Sequence, residues 1–251
     1  MDLIAKLSKW VNESSDIVLF SGAGVSAESG IPTYRGQGGY WEKYDPDKYA
    51  NINHFHKDPS YYWNFFKDVR SPVLSAAKPN LAHQSIAKLE TLGKIKSVIT
   101  QNIDGLHKEA GSKNILELHG NTRMFSCLKC KKEFSFDKTN KLLEKNLPPQ
   151  CSECGSLIRP QVVFFGETLD PKVLNKAEKD SSQCDLFIAA GSSLVVQPAA
   201  SLPLIAKNHG SKLAIINIDP TPMDSIADIV INISVSEVFS KILQGIKPSR
   251  D

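Results

Sequence analysis

Apolar side chains at Leu3, Ile4, Leu7, Trp10 and Val11 recur at helical spacing, so the chain opens on an amphipathic helix. Asp16-Ile17-Val18-Leu19-Phe20 is then a short, continuous apolar run of the buried-strand type, leading straight into Gly22-Ala23-Gly24. The pattern lapses over residues 30–53, which are rich in Gly, Pro and Tyr and read as a loop. Helical periodicity returns over 59–75 and 79–92, and 94–100 reads as a second buried strand. Further along, 162–164, 186–190, 213–218 and 229–233 read as strands, with helices over 198–208 and 235–246. Buried strands alternating with helices predict an α/β fold, a parallel sheet covered on both faces.

The alternation stops between Arg123 and Pro160, where paired cysteines and lysines take over, so a small module is inserted there. At 251 residues and 41% hydrophobic, the chain suffices for one large domain carrying a small one. Formal net charge is only +3, too mild to imply nucleic-acid binding. Seven basic and four acidic residues lie between Cys127 and Pro160, which accounts for the whole excess. A solvated face explains it, and a weak docking surface for an acidic partner is the alternative. The first residues lack a basic segment followed by an apolar one, and no apolar run approaches the ~18–20 residues that span a bilayer. A cytoplasmic protein without a membrane anchor is therefore expected. Cys184, alone at the start of an apolar run, reads as a small core residue.

Four candidate sites follow. Gly22-Ala23-Gly24-Val25-Ser26-Ala27 matches G-x-G-x-x-A between a predicted strand and a predicted helix. Glycines there permit a tight turn and close approach of a pyrophosphate to helix N–H groups, although an ordinary strand–helix turn has the same look. The acidic residue usual ~20 positions on, at a second strand end, is missing: Asp45 lies in Tyr44-Asp45-Pro46-Asp47, a turn. Asn217-Ile218-Asp219 and Gly191-Ser192-Ser193, each after a strand, are better candidates for ribose and phosphate. Together these clusters would line one crevice at the carboxyl edge of a doubly wound sheet. Cys127-x2-Cys130, 20 residues, then Cys151-x2-Cys154 is a zinc-ribbon spacing, and four protein thiolates leave no open position, so the metal is expected to be structural. Gln101-Asn102-Ile103-Asp104 concentrates polar groups at another strand end, and Leu118-His119-Gly120 places a histidine at a further one. His119 is a candidate general base, with an ordinary loop histidine as the alternative. His54, His56, His83, His107 and His209 read as structural or surface residues.

Taken in order, these segments resemble one family, the sirtuins. Gly22 to Pro32, Arg35-Gly36, Gln101 to Asp104, Leu118-His119-Gly120, the four cysteines, Phe165-Gly166-Glu167, Gly191-Ser192-Ser193 and Asn217-Ile218-Asp219 carry the likeness over roughly residues 15 to 235. The resemblance implies a Rossmann-like NAD-binding domain from 1–30, 80–120 and 160–251, a cofactor loop with helical insertion over 31–79, and a zinc-ribbon module over 121–159. It implies NAD consumed as co-substrate, one structural Zn2+, and acyl-lysine proteins or peptides as substrates, chromatin proteins among the candidates. Gly22, Ala23, Gly24, Ala27, Tyr34, Arg35 and Trp41 would hold the phosphates and shape the cofactor loop. Gln101, Asn102, Ile103 and Asp104 would position nicotinamide and its ribose, with Asn102 and Asp104 counted as catalytic beside the base His119. Gly191, Ser192, Ser193, Asn217, Asp219 and Val235 would hold the adenosine end. Val163, Phe165 and Val196 would wall the acyl-lysine, and Glu167 with the backbone around Gly166 would pair with the peptide. The implied activity is lysine deacylation, yielding nicotinamide, O-acyl-ADP-ribose and free lysine.

Two departures from the family pattern matter. Thr33-Tyr34 stands where many sirtuins have Asp-Phe, which keeps the ring. Members preferring succinyl groups carry Tyr-x-x-Arg after a tryptophan; counted from Trp63 that register gives Phe66 and Val69. Arg70 is one position on, about 100° around an α-helix, and is expected to point elsewhere. Neutral acyl groups are therefore expected to be preferred. The competing readings are mono-ADP-ribosyl transfer, hydride transfer suggested by the glycine turn, and a non-catalytic zinc-ribbon binding module.

Overall fold

A computed structural model describes residues 2–246 of the chain. The strands are β1 (Ile17–Ser21), β2 (Ile95–Thr100), β3 (Ile115–Glu117), β4 (Gly120–Cys127), β5 (Glu133–Ser135), β6 (Ile158–Val162), β7 (Leu186–Ala190), β8 (Lys212–Ile216) and β9 (Ile229–Ile231). Six form one parallel sheet in the order β3-β2-β1-β7-β8-β9. The chain lays down β1 to β3 in one direction, returns, and lays down β7 to β9 in the other. Its switch point lies between β1 and β7, as in doubly wound dinucleotide folds.

Side-chain alternation sorts the strands' apolar residues between two cores. Leu19, Val98 and Ile188 join Leu7 and Val11 of helix Leu3–Glu13, Ile86 and Leu89 of Leu81–Thr91, and Val238, Phe239 and Ile242 of Val235–Gln244. Val18, Phe20, Phe187 and Ile215 pack on the other face against Ala177 of Pro171–Gln183 and Leu202 and Ala206 of Leu202–Asn208.

The cysteine-bearing insert is a three-stranded antiparallel sheet, β5-β4-β6, with helix Phe136–Leu143. The expected strand over 162–164 is displaced: the strand is Ile158–Val162 and it belongs to this small sheet. Pro160 is accommodated because β6 is an edge, where a missing N–H is tolerated, and the burial of β6 alternates.

The expected loop over 30–53 contains short helical turns. Asp45 and Asn51 accept backbone N–H bonds as caps of Pro46–Tyr49 and Ile52–Lys57. The expected helix over 59–75 is Ser60–Phe65 and Ser71–Ala76 joined by a π-helical turn, Phe66–Arg70. Pro72 explains the joint: it has no N–H to offer, and its ring crowds the carbonyl four residues back, so the coil widens and Ser71 N bonds to Phe66 O. Trp63, Phe66, Phe125, Phe134 and Phe164 form the third core, between these helices and the small sheet. The turn after Gly22 is also not the expected α-helix; Ala23–Ser29 is 3-10 helical and stops at Gly30 with φ 81°.

Candidate active site and metal centre

The register fixes where the site opens. Ser21 is level with both Thr100 and Ala190, and Ala190 with Ile216. Gly22, Gln101, Gly191 and Asn217 therefore step off the sheet side by side, around the switch point. A cavity of about 660 Å3 lies there, with Gly22, Ala23, Gly24, Gln101, Asn102 and Ile103 in its wall. Gly191, Ser192, Ser193, Asn217 and Asp219 line it from the other half of the sheet, and Tyr34, Arg35 and Trp41 from the loop beyond Gly30.

The glycines are obligatory where two loops touch. Gly22 N donates to Ala190 O at 3.0 Å and Gly24 N to Gly191 O at 2.8 Å. A Cβ on Gly22 would lie 2.7 Å from Gly191 O; one on Gly191, whose φ is +59°, would lie 2.4 Å from Val25 N. Gln101 Nε2 donates to Ser192 Oγ at 2.7 Å, tying the β2 end to the β7 end.

His119 is half-buried in the cavity wall two residues beyond β3. Its Nδ1 lies 3.1 Å from Gln101 O. A carbonyl only accepts, so Nδ1 carries the proton and Nε2 keeps its lone pair. Burial lowers the His119 pKa below its ordinary value, with the Gln101 carbonyl pulling the other way, so the ring is a neutral base at pH 7. Gly120 makes its close crossing possible: with φ +74°, a Cβ there would stand 2.1 Å from Gln161 O.

Behind the wall runs a buried polar network. Ser26 Oγ donates to Asp104 Oδ2 at 2.8 Å, and Asn102 Nδ2 donates to Gly22 O at 3.0 Å and to Ser26 Oγ at 3.2 Å. Asp104 thus does not line the cavity; it is tied through Ser26 to Asn102, which does. His83 and His107, expected to be structural or surface residues, are buried and structural, and they complete this network. His83 Nε2 is 3.4 Å from Ser26 Oγ, and His107 Nε2 is 2.9 Å from Ser21 Oγ, itself donating to Thr100 Oγ1. Burial lowers both pKa values, that of His107 to about 3, so both rings stay neutral. One signal was legible: Asn80-x-x-His83 forms a reciprocal cap on helix Leu81–Thr91. Two further candidates stand apart from the cavity: Ala27 is exposed on the 3-10 helix, and Val235 is buried at the start of Val235–Gln244.

Val163, Phe165, Gly166, Glu167 and Val196 line the opposite part of the wall. Val163 N donates to His119 O at 2.9 Å, joining this wall to the base. Phe165 is already bonded on both sides, its N to Ala50 O and its O to Ile52 N. The Glu167 carboxylate takes both Arg159 Nη1 and Nη2 at 2.8 Å and Phe164 N at 2.9 Å, so it braces the loop from within. Burial would raise its pKa, but the Arg159 guanidinium and the Phe164 N–H outweigh that and lower it.

Arg70 lines the cavity too, contrary to expectation, alongside Tyr62 and Phe65, whereas Phe66 and Val69 do not. The π turn is the reason: with the i→i+5 bond from Ser71 N to Phe66 O, the chain turns more slowly than 100° per residue, and Arg70 shifts from the position the α-helical count gives.

The Cys127 and Cys154 sulfurs are 3.5 Å apart, those of Cys130 and Cys151 3.6 Å, and all four lie within 4.8 Å of one another. Thiolates ~2.3 Å from a tetrahedral zinc would stand ~3.8 Å apart, so the donor set fits that ion. Cys130 N points at Cys127 Sγ (3.5 Å) and Glu153 N at Cys151 Sγ (3.4 Å), as knuckle turns require. With all four positions taken by protein, the metal is structural. Cys184 is buried, as expected.

A parallel sheet whose switch point opens on a glycine-lined crevice, with one wall running on from a four-cysteine module, defines an α/β dinucleotide-binding enzyme with a structural zinc ribbon. The Sir2 family model matches residues 22–198, and the chain belongs to that family. It is 44% identical over 250 residues to NAD-dependent protein deacylase 2 of Archaeoglobus fulgidus, covering 99% of this chain and 98% of that protein. It is 46% identical over 234 residues to the NAD-dependent protein deacetylase of Thermotoga maritima, covering 93% and 94%. A structure described as Sir2 with a p53 peptide and NAD+ superposes with a TM-score of 0.89 at 43% identity, covering 96% and 97% of the two chains. No helix among the described residues is long and apolar enough to cross a membrane.

Proposed function

We propose that the chain is an NAD-dependent protein lysine deacylase that releases nicotinamide, O-acyl-ADP-ribose and free lysine, and that it favours neutral acyl groups over succinyl or malonyl. The observation that carries this reading is His119, a neutral base at the seam between the strand-end crevice and the Val163–Val196 side of the cavity. NAD enters the glycine-lined half and acyl-lysine the other. The amide oxygen forms a bond to C1′ of the nicotinamide ribose as the bond to nicotinamide breaks. His119 Nε2 takes a ribose hydroxyl proton, and that oxygen closes on the former amide carbon. Water then completes release of lysine. The apolar wall keeps water from the ribosyl centre before the amide is in place.

The peptide pairs at Gly166, because the Phe165 backbone is already bonded to residues 50–52 and the Glu167 carboxylate to Arg159. Neutral acyl preference rests on Val69, which supplies no cation, and on Arg70, whose guanidinium sits on the Tyr34 ring 5.6 Å from its centroid. Products of enzyme, NAD and an acetyl-lysine peptide, read by mass spectrometry beside His119→Ala, test the reaction. Equal amounts of free lysine peptide, nicotinamide and O-acetyl-ADP-ribose are expected, lost in the variant. ADP-ribose left on protein with the acetyl group intact would make the chain an ADP-ribosyltransferase. Succinyl-lysine turned over as fast as acetyl-lysine would sink the acyl preference.

A further inference from the structure

We propose that Arg70 is a positioning residue for NAD: its guanidinium, seated on the Tyr34 ring, holds residues 33–42 in place at the crevice. This rests on the assignment of that loop to the cofactor, and NAD binding by the unaltered protein tests the assignment separately.

Arg70 is only 7% exposed. An arginine keeps its charge at any ordinary pH, and a buried charge is costly unless something compensates it. Among the described residues no carboxylate lies within ion-pair distance of it. Its company is aromatic: the Tyr34 face, and the phenols of Tyr62 and Tyr40. Burial raises the pKa of both phenols, and Arg70 is the largest influence opposing it. Tyr34, through its electron-rich face and its hydroxyl, is therefore the main counterweight to the buried cation.

The loop needs such an anchor. Among the described residues, the backbone hydrogen bonds of residues 33–42 close within residues 33–44, as in Tyr40 N to Thr33 O, Trp41 N to Tyr34 O and Gly38 N to Glu42 Oε2, and the Tyr34 hydroxyl reaches out of the segment to Arg70. The segment is a self-contained turn, held to the helices behind it by side-chain faces. Tyr40 meets Phe65 edge-on at 5.5 Å, and Arg70 adds the charged contact. Tyr34 in turn packs on Trp41 at 5.1 Å and precedes Arg35, both in the cavity wall. A shift of Tyr34 is therefore a shift of the cofactor's wall. The π turn that Pro72 imposes brings the guanidinium to this ring.

Calorimetric binding of NAD and steady-state kinetics of Arg70→Met, Arg70→Lys, Tyr34→Leu and the Arg70→Met/Tyr34→Leu double variant test the proposal. Loss of the contact in Arg70→Met should weaken NAD binding about tenfold and raise KM for NAD by the same factor. KM for acetyl-lysine peptide at saturating NAD should move less than about twofold, and Arg70→Lys should recover part of the loss. Because Arg70 acts through Tyr34, Arg70→Met should add nothing in the Tyr34→Leu background. Should Arg70→Met not fold, Arg70→Lys alone decides: a threefold or greater rise in the NAD dissociation constant supports the proposal, and none overturns it. NAD affinity within twofold of normal in both variants overturns it, as does a loss confined to the peptide KM, which would make Arg70 a reader of the acyl group. Failure of the unaltered protein to bind NAD would instead overturn the cofactor assignment.

Discussion

His107 makes the protein's stability depend on pH in a way that can be calculated. The ring is buried, its Nε2 bonded to Ser21 Oγ and its Nδ1 without a partner. Ser21 spends its own proton on Thr100 Oγ1, so Nε2 carries the hydrogen and Nδ1 would have to take up a charge in a dry site. Burial, with a smaller push from His83, depresses the pKa to about 3, against an ordinary 6.5. Between those values the unfolded chain holds a proton that the folded chain lacks, so stability rises with pH across the window and is lost as pH falls through about 6.5. From pH 7.5 to 5.0 the loss from this one group is about 2 kcal/mol. His107→Gln keeps an N–H for Ser21 without a titratable ring. Urea unfolding of both proteins at several pH values reads the effect, and contributions common to both, the zinc thiolates included, cancel in the difference. The variant should lose about 2 kcal/mol less than the parent between pH 7.5 and 5.0. A difference that stays constant across that range would show that His107 is not held neutral, and the reasoning would fail.

Three more expectations concern the site. Because burial depresses the His119 pKa, the acid limb of kcat/KM with an acetyl-lysine peptide should lie below pH 6.5, and a limb at 7 or above would refute a desolvated base. Gly191→Ala forces an L-residue into φ +59°, at about 1–2 kcal/mol, and drives its Cβ to 2.4 Å from Val25 N; calorimetry should show NAD binding at least about tenfold weaker, and unchanged affinity would mean the two loops are not in contact. Removal of zinc with a strong chelator should lower the melting temperature, with recovery on adding zinc back, whereas activity lost at an unchanged melting temperature would place the metal in the chemistry.

The main sheet was legible because each central strand is a short apolar run ended by Gly, Asn or Gln, and the level register then gathers those endings at one crevice. The zinc site was legible in four residues, since thiol spacing encodes the tetrahedron directly. What escaped was set by local backbone irregularity. Arg70 was misplaced because periodicity assumes 3.6 residues per turn, and Pro72 breaks that assumption two residues later. Strand β6 was read too far along because the continuous apolar run over 162–164 stands out more than the alternating, half-buried Ile158–Val162 before it. The helical turns within 30–53 had their caps in plain view at Asp45-Pro46 and Asn51, but runs of four to six residues are too short for a periodicity to register. His83 and His107 join the network behind the cavity wall through contacts with Ser26 and Ser21, which no spacing along the chain reveals.

The level strand ends carry a consequence for folding. β1, beginning at Ile17, pairs with β7, beginning at Leu186, and the crevice exists only once that pairing has closed. Contacts so distant along the chain form late and slowly, because the loop entropy must be met before the strands reward it. The pocket is thus expected to form only once this long-range pairing has closed. A ligand that binds only the finished pocket pulls the folding equilibrium toward it by mass action. The cellular concentration of NAD should then govern how long a molecule of this protein survives, as well as how fast it works.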